Sequence, residues 1–149
     1  MAGFLDIKSG GKIRYNAPVP STQTWLRGQF IVVNSAGSLE LLSAGNLVSG
    51  ILGGPALENA VLPSVGNPMN NTNVVLAGNI GSVLLSEAVV VTDNLSGTGG
   101  WVPGITSVYA AAGGNYTYTA TSGLKCGTAL TSPVTNGKLK FLFRPPGSP

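Results

Sequence analysis

Lys138-Leu139-Lys140-Phe141-Leu142-Phe143-Arg144 alternates in character residue by residue, and Asn136-Gly137 stands just before it. A period of two belongs to a strand with one dry face. Leu139, Phe141 and Phe143 fall on one side, and Lys138, Lys140, Leu142 and Arg144 on the other. The charge-free side is the core candidate. Asn-Gly favours a tight hairpin turn, because both central residues of that turn need positive φ. The strand is therefore expected to pair back onto residues 126–130.

The same grammar extends outward from this strand. Tyr116-Thr117-Tyr118-Thr119 has high β propensity, Gly113-Gly114-Asn115 reads as a turn, and Ile105-Thr106-Ser107-Val108-Tyr109 reads as a strand. Three apolar triplets, Val74-Val75-Leu76, Val83-Leu84-Leu85 and Val89-Val90-Val91, are too short for helices. Such runs suit strands covered on both faces, by a core on one side and a subunit on the other. Residues 63–73, with Gly66, Pro68 and several asparagines, read as a loop. Residues 47–57 carry Gly50, Gly53, Gly54 and Pro55 and read as a strand or a turn-rich crossing. Gln29-Phe30-Ile31-Val32-Val33, a turn at residues 34–37, and Leu39-Glu40-Leu41-Leu42 form a hairpin pattern. Lys12-Ile13-Arg14-Tyr15 is a further strand candidate, stopped by Pro18 and Pro20. The expectation is an all-β fold, a small barrel or jelly-roll-like sandwich with long irregular loops and helix below about 15%. Residues 1–149 read as one domain, with 1–11 as an N-terminal arm and 145–149 as a Pro-rich tail.

Composition narrows the chemistry. The chain has 149 residues, of which 9% are charged, against about 25% in a typical domain. There is no histidine, which excludes Ser-His-Asp and Cys-His catalysis and any His-ligated metal. Asp6, Glu40, Glu58, Glu87 and Asp93 are scattered through the sequence, and no spacing among them matches a metal loop. Cys126 is the one cysteine, so no internal disulfide forms, and it reads as a small buried hydrophobe. The glycine pairs lack the Lys-Ser/Thr of a phosphate loop. No catalytic residue, cofactor or metal is expected, and the chain reads as a non-enzyme. Its most apolar stretch, residues 73–92, is interrupted by Gly78, Asn79, Gly81 and Glu87, so no membrane partner or targeting segment is expected.

The charges are unevenly placed. Lys8, Lys12, Arg14 and Arg27 lie near the start, and Lys125, Lys138, Lys140 and Arg144 near the end. Between Arg27 and Lys125 there is no basic residue, while Glu40, Glu58, Glu87 and Asp93 make that stretch acidic. The bland reading is a neutral body with solvated basic edges. The functional reading is a cationic face meeting an acidic protein. The basic residues form no run of the kind that marks nucleic-acid binding. Trp25 and Trp101 are the largest side chains and the natural interface anchors. The candidate contact residues are thus Lys8, Lys12, Arg14, Trp25, Arg27, Trp101, Lys138, Lys140 and Arg144. A mean hydropathy of +0.30 and the apolar triplets point to a homo-oligomer, a dimer or trimer.

Several of these stretches resemble the capsid decoration, or cement, proteins of tailed bacteriophages. Similar features are Trp101-Val102-Pro103-Gly104, then Val108-Tyr109, the Thr/Tyr-rich strand, Gly123-Leu124-Lys125-Cys126-Gly127-Thr128-Ala129, and the last hydrophobic strand. Gly11-Lys12-Ile13-Arg14-Tyr15-Asn16-Ala17-Pro18, Gly28-Gln29-Phe30-Ile31-Val32-Val33 and Val48-Ser49-Gly50-Ile51-Leu52-Gly53-Gly54-Pro55-Ala56 are similar too. Residues 57–79 depart from the pattern. The resemblance implies a structural protein on the outer surface of the virion capsid. There it would bind the major capsid protein and bridge capsomers, with no active site or cofactor. The alternative is a carbohydrate- or receptor-binding module of a virion fibre or spike, with Trp101 as a stacking platform near Asp93-Asn94.

Overall fold

The computed structural model describes residues 3–48, 50–62, 74–96, 100–120, 123–133 and 137–146. Among them the regular structure is essentially all strand. The strands are β1 (Leu5–Gly10), β2 (Arg14–Pro18), β3 (Phe30–Val33), β4 (Leu39–Leu41), β5 (Gly53–Pro55), β6 (Asn59–Val61) and β7 (Val74–Leu76). They continue with β8 (Ile80–Leu84), β9 (Ala88–Thr92), β10 (Ser107–Ala111), β11 (Tyr116–Thr117), β12 (Gly123–Ala129) and β13 (Leu139–Phe143). Gly and Pro break the chain too often for helices, while Val, Ile, Phe and Thr fill the pleats between breaks.

The largest sheet has six strands in the order β1-β9-β13-β12-β10-β11. All its neighbours are antiparallel. It does not close into a barrel, and its packing on a second layer is that of a sandwich. That second layer is β4-β3-β5. Smaller ribbons, β2-β8 and the parallel β6-β7, lie beyond it.

Two apolar cores follow from this layering. Phe30, Val32, Leu42 and Leu84 pack with Val90, Val108, Tyr116, Leu139, Phe141 and Phe143 beneath the six-stranded sheet. Ile31, Leu39, Ala56 and Val83 pack with Ala17, Val19, Trp25 and Ala60 on the other side. Adjacent residues of β3 and β8 thus enter different cores, which is why these runs are apolar without alternation. β9 and β13 alternate instead, because only one of their faces is covered. β5 lies so close to β8 that a Cβ on Gly54 would sit 1.9 Å from the Leu84 carbonyl oxygen. Only glycine fits there.

Several expectations are redrawn. Residues 1–11, read as an arm, contribute β1, paired along its length with β9. The strand read at Lys12–Tyr15 lies at Arg14–Pro18 and contains Pro18. Proline is tolerated there because β2 is an edge strand, paired only with β8. β13 pairs with β12 as expected, Gly127 with Phe143 and Ala129 with Phe141. Its lead-in is not a two-residue turn, since residues 130–138 intervene between the strands. Gly137 has φ +71°, and its N–H donates to the Pro133 carbonyl. Asn136 and the loop read at residues 63–73 lie outside the described residues. At the tail, Pro145 is buried, and Pro145 and Pro146 lie along the Lys125–Thr128 segment.

Candidate functional site

The outer face of the six-stranded sheet is built by the residues that alternate with the core. Val90 and Phe141 face inward as a buried pair. Their neighbours therefore face outward: Val91 opposite both Lys140 and Asp6, and Val89 opposite Leu142. The row continues across β12 and β10, where Leu142 meets Thr128 and Thr128 meets Ser107. Lys125 lies opposite Tyr109. Val89, Val91 and Leu142 are half-buried and belong to neither core. They form an apolar stripe with cations around it.

The cations are set by neighbouring acids at two places. Lys8 Nζ is 2.7 Å from Asp6, and that hydrogen bond holds the Asp6 carboxyl below its ordinary range. Arg144 Nε donates to Glu87 at 2.9 Å. Both pairs are exposed, so solvent and salt screen them and they serve mainly to hold side chains over the face. Lys138 Nζ lies 4.1 Å from the centre of the Phe4 ring at the margin of the same face, a cation–π contact. Lys125 and Lys140 complete the basic rim.

The sheet's edges are closed to strand addition. β1 carries a bulge between Ile7 and Ser9, at Lys8, and its Leu5 carbonyl accepts from Arg27 Nη1. At the far side β11 has only two residues. Its Tyr116 N–H donates to Asn94, and its carbonyl accepts from Ser96. A bulge with a lysine, a capped carbonyl and a short covered strand are the usual means of blocking edge pairing.

Of the residues read as contacts, Lys8, Lys138, Lys140 and Arg144 come together on this face. Lys12 and Arg14 do not: they stand exposed at and just before β2. Arg27 is structural. Its Nε donates to the Leu57 carbonyl at 3.1 Å and its backbone N–H to Asn59 Oδ1, so it ties β1 to the segment before β6. Trp25 is 4% exposed, with its indole N–H on the Glu58 carbonyl. Trp101 is 3% exposed and stands edge-on to Tyr118 at 5.4 Å. Both indoles are core side chains, and Trp101 offers no open ring for a sugar. Asn94 is also committed. It lies buried between Thr92, the Arg27 carbonyl and the Gly3 N–H.

Lys125 and Leu142 join this face without having been singled out as contacts in the sequence. The Val89–Val91 run, expected to be covered on both sides, places Val89 and Val91 on it; each alternates with buried neighbours. Among the described residues, no three His, Cys, Asp or Glu side chains group as metal ligands do. Compared with known proteins, the chain matches no family model, no curated protein and no solved structure.

Proposed function

We propose that this chain is a structural decoration protein of a tailed-phage capsid, held on an acidic shell surface by the outer face of its six-stranded sheet. The observation that carries this reading is the stripe of Val89, Val91 and Leu142 inside a rim of Lys8, Lys125, Lys140 and Arg144. An apolar centre with a polar rim is the anatomy of a protein interface. The blocked sheet edges favour contact through side chains, and the resemblance to capsid cement proteins supplies the shell as partner. Many copies on one shell would turn modest single contacts into strong retention. The role is adhesive, with no catalytic step. The test uses undecorated heads of a tailed phage. Binding of the natural chain should weaken as sodium chloride rises, since rim charges are screened within about 10 Å at 0.1 M salt. Lys125→Ala/Lys140→Ala should bind weakly at low salt while melting like the natural chain. Salt-independent binding, or full binding by the double variant, rejects the proposal.

A further inference from the structure

Glu40 lines an open groove of about 590 Å3 together with Val33, Asn34, Asn46, Val48 and Ile51. Its two carboxylate oxygens each accept one amide hydrogen bond. Asn34 Nδ2 donates to Oε2 at 3.0 Å and Asn46 Nδ2 to Oε1 at 2.8 Å. The amides cannot turn round. Asn34 Oδ1 is held by the N–H groups of Ala36 and Ser38, and Asn46 Oδ1 by that of Ser43. The carboxylate is therefore fixed in orientation and retains lone pairs on both oxygens. Its walls are partly hydrocarbon. A fixed acceptor beside aliphatic side chains in an open groove fits a long cationic side chain, whose stem lies on the hydrocarbon and whose head reaches the acid.

We infer that this groove receives Arg14 of a second copy of the chain. The sequence between Arg27 and Lys125 contains no basic residue, so a cation for Glu40 must come from another part of the fold or another molecule. Arg14 is exposed on an edge strand, apart from the sheet face assigned to the shell. Its guanidinium can take both carboxylate oxygens at once. The other two arginines are committed, Arg27 to backbone carbonyls and Arg144 to Glu87. Val48 and Leu52 beside the groove are 59% and 43% exposed, so the hydrocarbon stem of an entering arginine has apolar surface to lie on. Donor and acceptor lie on different patches, so the contact runs head to tail, and a rotation that closes makes it a ring of a few copies. The inference is independent of the capsid reading, because it concerns the free protein.

The experiment is light scattering on the purified full chain. The natural chain should have a small multiple of 15.0 kDa and fall to monomer in high salt. Arg14→Glu should be monomeric. Val48→Arg should be monomeric too, because it places a cation in the groove from within the same chain. Both substitutions are at exposed positions, so melting should be unchanged. A monomeric natural chain at every concentration would overturn the inference. So would assemblies of unchanged mass in Arg14→Glu or Val48→Arg.

Discussion

Phe141 and Leu142 are adjacent on β13 and should respond to truncation in opposite ways. Phe141 is fully buried, tilted against Tyr116 at 5.2 Å between ring centres, and paired across the sheet with Val90 and Ala129. Phe141→Ala removes the transfer energy of the ring and leaves a cavity that a two-layer β core closes only in part. The expected cost is about 3–5 kcal/mol, of which roughly 0.5–1.5 belongs to the aromatic pair. Domains of this size are stable by about 5–15 kcal/mol, so much of the total is at stake. With about 2–4 °C of melting temperature per kcal/mol, the midpoint should fall on the order of 10 °C. Leu142 faces outward, opposite Val89 and Thr128. Leu142→Ala should cost less than about 1 kcal/mol while weakening attachment to heads. Thermal melts and urea titrations of both variants decide the matter. Equal losses, or a Phe141→Ala variant that melts like the natural chain, would refute the assignment of inner and outer faces.

Two other side chains give independent checks. Glu58 is half-buried, and loss of solvent raises its carboxyl above the ordinary 4.5, with the Ser82 N–H and Arg27 opposing. A carboxyl with a raised folded-state pKa favours the protonated fold. That stability is fully present below the ordinary value and is lost as pH rises through the raised one. Glu58→Gln should therefore melt higher than the natural chain at pH 7, with the gap shrinking toward pH 4; a constant gap would contradict this. Cys126 is buried, and burial pushes its thiol up. It should resist a disulfide reagent in the native protein and react on addition of denaturant. Rapid native labelling would show that β12 opens.

The all-β class and the inner face of β13 were legible because alternation needs only local sequence. The β3–β4 hairpin was legible for the same reason, helped by the turn chemistry of Asn34 to Gly37. β1 was missed although Leu5-Asp6-Ile7-Lys8 alternates. The bulge at Lys8 breaks the period after four residues, and Ser9-Gly10-Gly11 reads as an end. Apart from Thr92 beside Asn94, the side-chain partners of Trp25, Arg27 and Asn94 lie 22 to 91 residues away in sequence. Composition marks such residues as anchors or charges and carries no sign that the fold consumes them. Four of the basic residues read as contacts nevertheless gathered on one face. Lys138, Lys140 and Arg144 share a parity on β13 and its ends, and β1 brings Lys8 beside them through β9.

The blocked edges bear on how such a chain can hold a partner. Strand addition gains affinity from main-chain hydrogen bonds, which are indifferent to sequence and to salt. Here the bulge at Lys8, the Arg27 cap on Leu5 and the cover over Tyr116 remove that route at both margins of the six-stranded sheet. A contact through the face must instead rest on Val89, Val91 and Leu142 for burial and on flexible lysines for complementarity. Such a contact is modest per copy and reversible, and it depends on ionic strength. It also cannot propagate from sheet to sheet into a fibre, which matters for a β protein crowded at high local concentration. The same reasoning separates the two surfaces. The sheet face carries a rim of lysines spread over several strands, suited to a broad acidic surface. The Glu40 groove carries a carboxylate locked by two amides, suited to one well-placed cation. Loss of the lysines should then change attachment and leave self-association intact, while Val48→Arg should do the reverse.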